Sequence, residues 1–162
     1  MLEFTSPQFL GGGVISNPAQ LANKSGVLVS PQDSLFDADG DLWVVDGGLA
    51  DGKGTGAAVY EFSRSQLRSL ATDPNPVPDF AIKALGGATN FNFPRFAAFD
   101  SAGNLWVSDA GNSAIFKFSA AQLALSTGVG LTPAVVLVNL PIEDPQFFDG
   151  PLGIAFDGGG NL

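Results

Sequence analysis

The sequence contains no cysteine and no histidine. Without cysteine, the chain can form neither a disulfide framework nor a thiolate metal site. Without histidine, it lacks the side chain that most often serves as a general base and as a transition-metal ligand. We therefore expect no catalytic residue and no cofactor in this chain.

Basic residues are also scarce, since 7 Lys and Arg stand against 16 Asp and Glu and give a net charge of −9. Nucleic acids and anionic membrane surfaces are poor partners for such a chain. No apolar run approaches the roughly 18 residues that cross a bilayer, so we predict no membrane insertion. A protein partner, or further copies of the chain itself, is the class of partner that remains.

The residues that are abundant favour a chain of short strands. Phe (14) far outnumbers Tyr (1) and Trp (2), so most aromatic side chains carry no polar group and are suited to burial. Gly (21) and Pro (11) are plentiful, which is typical of many strands joined by tight turns.

One pattern, Phe-Asp-x-x-Gly-[Asn/Asp]-Leu, occurs three times at intervals of roughly 60 residues, which indicates a modular architecture. The copies are Phe36–Leu42, Phe99–Leu105 and Phe156–Leu162. A proline stands five positions before each of these phenylalanines, at Pro31, Pro94 and Pro151. The interval after each proline predicts a first strand, although Gln32-Asp33-Ser34 is less apolar than its counterparts and predicts an irregular one.

Three further strands follow in each complete copy. The Gly-containing segment predicts a tight turn with a positive φ at Gly. The second strands are predicted at Leu42–Asp46 and Leu105–Asp109, the third at Ala57–Phe62 and Ala114–Phe118, and the outer ones at Phe80–Lys83 and Ala134–Val138. In the first partial copy the outer strand is either Gly13–Ile15 or Val27–Val29.

Between the third and outer strands, the pattern Phe-[Ser/Thr]-x-x-Gln predicts a short helix that starts with a capping box. It occurs at Phe4–Gln8, Phe62–Gln66 and Phe118–Gln122.

Four antiparallel strands in each repeat predict an all-β fold made of β-propeller blades, with about three blades' worth of chain and an incomplete ring. The alternative is a β-sandwich, which does not require copies at a near-constant interval. We divide the single propeller segment, 1–162, into outer strands of a first blade (1–30), a second blade (31–93), a third blade (94–150) and an inner strand of a further blade (151–162).

Propellers need about four to eight blades, so this chain cannot close a ring alone. It could be part of a longer protein, could pair with a second copy, or could form an open arc capped by something else. We expect the first of these, because the turn at Gly159–Leu162 prepares for a strand that does not follow.

Residues 103–112, Gly-Asn-Leu-Trp-Val-Ser-Asp-Ala-Gly-Asn, resemble the NHL repeat, and the segments Phe93–Asp100 and Pro151–Asp157 resemble its opening. The helix pattern followed by Thr132–Val135 resembles a bacterial, often secreted, subgroup of NHL-like propellers with longer blades. The resemblance implies a propeller in an extracellular or periplasmic location. It does not imply one activity, because such propellers include hydrolases, lyases, ligand binders and scaffolds.

The segment Asp37-x-Asp39-Gly40-Asp41 is superficially similar to a calcium loop. An EF-hand would place a Glu at position 48, which is Gly, and the other copies have neutral residues at the equivalents of Asp39 and Asp41. We favour a plain hairpin turn and keep Asp37, Asp39 and Asp41 as a weak calcium candidate.

Other polar and aromatic residues that recur are also best explained by structure. Asp46 and Asp109 end the second strands and are expected to accept backbone N–H groups of the following turn. Trp43 and Trp106 occupy equivalent positions and are expected to serve the packing of the blades rather than to form a ligand platform. We also expect the repeated phenylalanines, Phe36, Phe99 and Phe156, to be inaccessible to solvent.

The function that fits this sequence best is a non-catalytic propeller scaffold or interaction module, extracellular or at the cell surface. One alternative is a fragment of a propeller hydrolase or lactonase. Lactonase chemistry would need a carboxylate–amide set at the mouths of the first strands, where Gln32, Asp33 and Arg95 do not form one. The other alternative is a structural subunit whose sheets are completed by neighbouring chains.

Overall fold

The computed structural model describes residues 2–3, 19–20, 26–49, 55–83, 91–125, 131–138 and 149–162, and every structural statement below concerns these residues. The strands are β1 (Leu2–Glu3), β2 (Ala19–Gln20), β3 (Pro31–Phe36), β4 (Leu42–Asp46), β5 (Ala58–Phe62), β6 (Phe80–Lys83), β7 (Pro94–Phe99), β8 (Leu105–Asp109), β9 (Ala114–Phe118) and β10 (Val135–Val138). Two short helices, α1 (Arg64–Arg68) and α2 (Ala120–Leu123), follow β5 and β9.

The strands form two four-stranded antiparallel sheets with the orders β3-β4-β5-β6 and β7-β8-β9-β10, and β1 pairs with β2. Each large sheet is built from consecutive strands in the same order, as expected for successive propeller blades. Both sheets are open and do not close into a ring. The predicted all-β fold of partial propeller blades is therefore confirmed.

The first strands of the two sheets share one irregularity. The register shifts between Pro31 and Asp33 in β3, and between Pro94 and Phe96 in β7. The predicted irregularity of β3 is thus a β-bulge that β7 has as well, and a bulge re-aims the extra side chain. The extra residues are Gln32 and Arg95.

The local signals in the sequence form as predicted. Gly40, Gly103 and Gly160 have φ of 84°, 75° and 80°, which allows the turn to close. Both described helices begin with the full capping box, Ser63 with Gln66 and Ser119 with Gln122. The predicted helix at Phe4–Gln8 and the outer strand at Gly13–Ile15 lie outside the described residues, and the alternative outer strand, Val27–Val29, does not form.

The core has two layers, which lie on the two faces of the first sheet. One layer joins the sheets, because Trp43, Val45 and Val59 of the first sheet pack with Leu105, Val107 and Phe116 of the second. The other layer covers the opposite face of the first sheet, with Leu42, Val44, Tyr60 and Phe62 under Leu67 and Leu70. Alternation of side chains along each strand produces these two layers.

The prediction that the three repeated phenylalanines are inaccessible is wrong. Phe99 packs edge-on against Trp43 of the preceding sheet (centroids 5.7 Å apart), and Phe156 packs in the same way against Trp106 (5.9 Å), yet both remain partly exposed. Phe36 is 60% exposed. Its counterparts are covered by the tryptophan of the preceding sheet, and the sequence has no tryptophan before Phe36.

Candidate functional site

The aspartates that end the second strands are fully buried and hold two segments of chain together. Asp46 accepts the N–H of Gly48 in the following turn (2.8 Å), as predicted, and also those of Val29 (2.7 Å) and Ser30 (3.0 Å) before β3. Asp109 does the same in the second sheet, with Asn112 N (3.1 Å) and Asn92 N (2.8 Å). Burial raises the pKa of Asp109, and these hydrogen bonds oppose the rise.

The aspartates that directly follow the first strands organise the hairpin turns. Asp37 Oδ1 accepts the N–H groups of Asp39 (3.0 Å) and Asp41 (2.9 Å), and Asp37 Oδ2 accepts the indole N–H of Trp43 (2.9 Å). Asp41 Oδ1 in turn accepts the N–H of Arg64, the first residue of α1 (2.6 Å). The carboxylates of Asp37 and Asp41 are therefore both engaged by the protein itself, which favours the plain-turn interpretation, while the weak calcium candidate stays a prediction.

The other two copies repeat this arrangement. Asp100 accepts the backbone N–H groups of Ala102 and Asn104 and the indole N–H of Trp106 (3.0 Å). Asp157 accepts the backbone N–H groups of Gly159 and Asn161. Although burial raises the pKa of Asp100, hydrogen bonds from Trp106 and Asn104 lower it more and hold it well below its ordinary value. Hydrogen bonds from the side chain and backbone of Asn161 likewise lower the pKa of Asp157.

The tryptophans have the predicted packing role, and the structure shows that they pack between one sheet and the next copy. Trp43 is buried and touches Phe80 of its own sheet (5.9 Å) and Phe99 of the next. Trp106 holds the equivalent place in the second sheet, against Phe156.

A cleft of about 580 Å³ opens between the two sheets beside the hairpin turns. Trp43 and Phe99 form part of its wall, and α2 closes one side. The carboxylates that line it are those of Asp37, Asp39, Asp41, Glu61 and Asp100.

Glu61 is the residue in this cleft that sequence reasoning missed. Burial, followed by the charges of Asp41, Asp79 and Asp37, raises its pKa to about 7. The equivalent residue of the second sheet is Lys117, since Glu61 pairs with Trp43 and Lys117 with Trp106. Lys117 lies 3.7 Å from Asp100 Oδ2 and 4.9 Å from the centre of the Trp106 ring. A comparison of the third-strand sequences would have shown that Lys117 stands where the first sheet has Glu61. It would not have shown which charged residues lie near either of them.

The polar residues at the mouths of the first strands meet across the two sheets. Arg95 Nη1 donates to Gln32 Oε1 (2.7 Å), and Asp33 Oδ2 accepts the N–H of Ala97 (3.0 Å). The sequence placed these residues at the same end of two successive first strands but did not indicate that they touch. They form a link between blades with one cation, one amide and one carboxylate.

Among the described residues, no three acidic side chains are arranged to hold a metal ion. Within the same ranges, no helix has the length and apolar character needed to cross a membrane.

Residues 91–118 match the family model of the NHL repeat. The match begins at the buried Phe91 and spans the first three strands of the second sheet, including the Asp100 turn and the buried Asp109. No curated protein matches the chain. The match and the two repeated sheets agree on a module of propeller type.

Proposed function

We propose that the chain is a non-catalytic propeller module, extracellular or periplasmic, that acts as a scaffold or an interaction surface. The observation that carries this proposal is the use made of the repeated polar residues. Asp37 and Asp100 bind turn amides and an indole, Asp46 and Asp109 bind buried backbone amides, and the Ser–Gln pairs cap helices. These groups have structural partners in both four-stranded sheets, so the residues that differ between the sheets are the ones available for recognition.

The location is proposed on composition and resemblance. A chain without cysteine gains no disulfide from an oxidising compartment but has no thiol to be damaged there. The subgroup that the sequence resembles is often secreted.

Hydrolysis assays test the proposal against its enzymatic alternative. The chain should hydrolyse δ-gluconolactone and p-nitrophenyl acetate no faster than buffer, with or without added Ca²⁺ or Zn²⁺. A metal-dependent rate that falls in Asp33→Asn, the carboxylate at the mouths of the first strands, but not in the exposed control Asp73→Asn, would establish the lactonase alternative instead.

A second candidate, a subunit whose sheets are completed by neighbouring chains, is favoured by the edge strand β10. Val135, Val136 and Val138 are exposed there, and an exposed apolar edge strand is a template for pairing with another chain. Sedimentation velocity over a concentration series should show association that Val136→Lys weakens and Thr72→Lys does not. A single monomeric species at all concentrations would exclude self-association through β10.

A further inference from the structure

One position in the first strand carries a different kind of side chain in each copy. It directly follows the repeated proline and is Gln32 in β3, Arg95 in β7 and Leu152 in the third copy. In β3 and β7 it is the extra residue of the bulge. Equivalent positions of adjacent first strands lie side by side, so an amide, a cation and an apolar side chain form a row.

Contacts on two sides fix the orientation of the Arg95 guanidinium. Its Nη1 donates to Gln32 Oε1 (2.7 Å), while Gln32 Nε2 is held by the Ser30 carbonyl (3.0 Å) and hydroxyl (2.8 Å). Its central carbon lies 3.9 Å from the centre of the Phe93 ring, so the planar group stacks on an aromatic face. Gln32 and Phe93 are thus positioning residues for Arg95.

The backbone under this stack is in a conformation that is costly for its residue. Phe93 has φ of 70°, whereas Gly150, at the equivalent position of the next copy, has φ of 63°. Glycine adopts this left-handed conformation freely, but a bulky residue does so only where the surrounding structure enforces it. Such strain concentrates at ligand clamps and functional sites.

The guanidinium retains unused donors. Arg95 Nε is buried and has no hydrogen-bond partner among the described residues. Within those ranges the one ion pair is Lys117–Asp100, so Arg95 has no carboxylate at ion-pair distance. Asp33, the carboxylate beside Gln32, is already bound to the amides of Ala97 and Ser34. A guanidinium with a buried unsatisfied donor and no anionic partner among the described residues is suited to bind an anion from outside the chain.

The third member of the row supplies an apolar surface. Ser108 accepts the N–H of Phe96, next to Arg95, at 3.1 Å and donates to the Leu152 carbonyl at 2.5 Å. This bond places Leu152 alongside β7, and its side chain is 55% exposed.

We propose that Arg95 and Leu152 form a binding site for a small organic carboxylate. The carboxylate pairs with Nη2 and with the second N–H group of Nη1, because a planar fork matches two carboxylate oxygens. Nε is buried and stays out of reach of the ligand, so Arg95 keeps its contacts with Gln32 and Phe93. The apolar part of the ligand lies against Leu152. The site lies apart from the acidic cleft and does not depend on the scaffold role.

Nuclear magnetic resonance of the arginine Nε–H groups tests this site directly, with phenylacetate as the probe and phenylacetamide as its neutral control. Phenylacetate should shift the Arg95 signal saturably, while the signals of Arg64 and Arg68 stay in place and phenylacetamide has no effect. Arg95→Gln should weaken phenylacetate binding at least about tenfold, and Arg95→Lys, a point charge without the fork, also about tenfold. The charge-matched control Arg68→Gln should stay within about twofold.

A second variant separates the two halves of the site and guards against misfolding. Leu152→Ser, on an exposed side chain, should weaken phenylacetate several-fold and leave acetate unchanged, with an unaltered thermal unfolding midpoint. Unchanged phenylacetate binding in Arg95→Gln, or an equal response to phenylacetamide, would overturn the proposal. Saturable binding of inorganic phosphate without phenylacetate binding would also overturn it, and would identify a general anion site.

Discussion

Replacing Asp46 by Asn should destabilise the protein and change the ionisation of its single tyrosine at the same time. Asp46 is fully buried and accepts three backbone N–H groups, from Val29 (2.7 Å), Ser30 (3.0 Å) and Gly48 (2.8 Å). Oδ1 of the asparagine can retain the bonds to Ser30 and Gly48. Its NH₂ group, however, would face the Val29 N–H, so one charge-assisted bond is lost.

The magnitude follows from that one bond. A hydrogen bond to a charged group contributes about 1.5–3 kcal/mol, so Asp46→Asn should lower the free energy of unfolding by about that amount. Asp46→Ala removes all three bonds and should cost at least about 4 kcal/mol on the same scale. Urea unfolding followed by the fluorescence of the buried Trp43 measures both.

Tyr60 provides an independent measurement, because it is the one tyrosine in the sequence. Burial, and secondly the charge of Asp46, raise the pKa of Tyr60 above its ordinary value. Asp46→Asn removes the second cause, so the pKa of Tyr60 should fall but stay raised by burial. Tyrosinate absorbance during an alkaline titration reports this, with circular dichroism to show that the fold persists at each pH.

The matched control is Asp109→Asn in the second sheet. It breaks the same kind of bond, since Asp109 Oδ2 accepts the N–H of Asn92 (2.8 Å), and should also destabilise the protein. It should leave the pKa of Tyr60 unchanged. A loss below about 0.5 kcal/mol in Asp46→Asn, together with an unchanged Tyr60, would refute the reasoning.

Two further predictions concern the contact between the sheets. Burial and neighbouring carboxylates raise the pKa of Glu61 to about 7, so its contribution to stability is complete below about pH 4.5 and is lost as the pH rises through 7. Glu61→Gln should therefore be more stable than the wild type at pH 8 by about 1 kcal/mol, after allowance for solvent screening. Glu61→Lys should be more stable still, because it places at this position the lysine that the second sheet has at Lys117. Equal urea midpoints of the variants and the wild type at pH 8 would contradict this prediction. Phe99→Ala should lower the free energy of unfolding by about 2 kcal/mol, because the half-buried Phe99 ring packs edge-on against Trp43. Phe36→Ala should lower it by less than about 1 kcal/mol, because Phe36 is exposed. Equal losses in the two variants would count against this packing of the sheets.

Features that depend on a few neighbouring residues could be predicted from the sequence. Gly40 permits the turn whatever surrounds it, and Ser119 and Gln122 satisfy each other within one helical turn. The turn role of Asp46 was predicted for the same reason. Its second role, binding Val29 and Ser30, was missed because those amides are 17 and 16 residues away.

Features that depend on the relative position of two sheets could not be predicted. Gln32 and Arg95 are 63 residues apart and meet because their bulges fall at the same place in adjacent first strands. The prediction for Phe36 failed because its local pattern equals that of Phe99, while coverage depends on the tryptophan of a preceding sheet.

The order of residues alone determined the repeat, the turns, the capped helices and the alternation of strands, because those rest on backbone sterics and hydrogen bonds within short reach. Tertiary structure decided which side chains are covered, which charges lie close together, and which donors are left over. Those outcomes depend on how one sheet packs against the next, and residues at the same position of a repeated motif can then differ in burial, as Phe36 and Phe99 do.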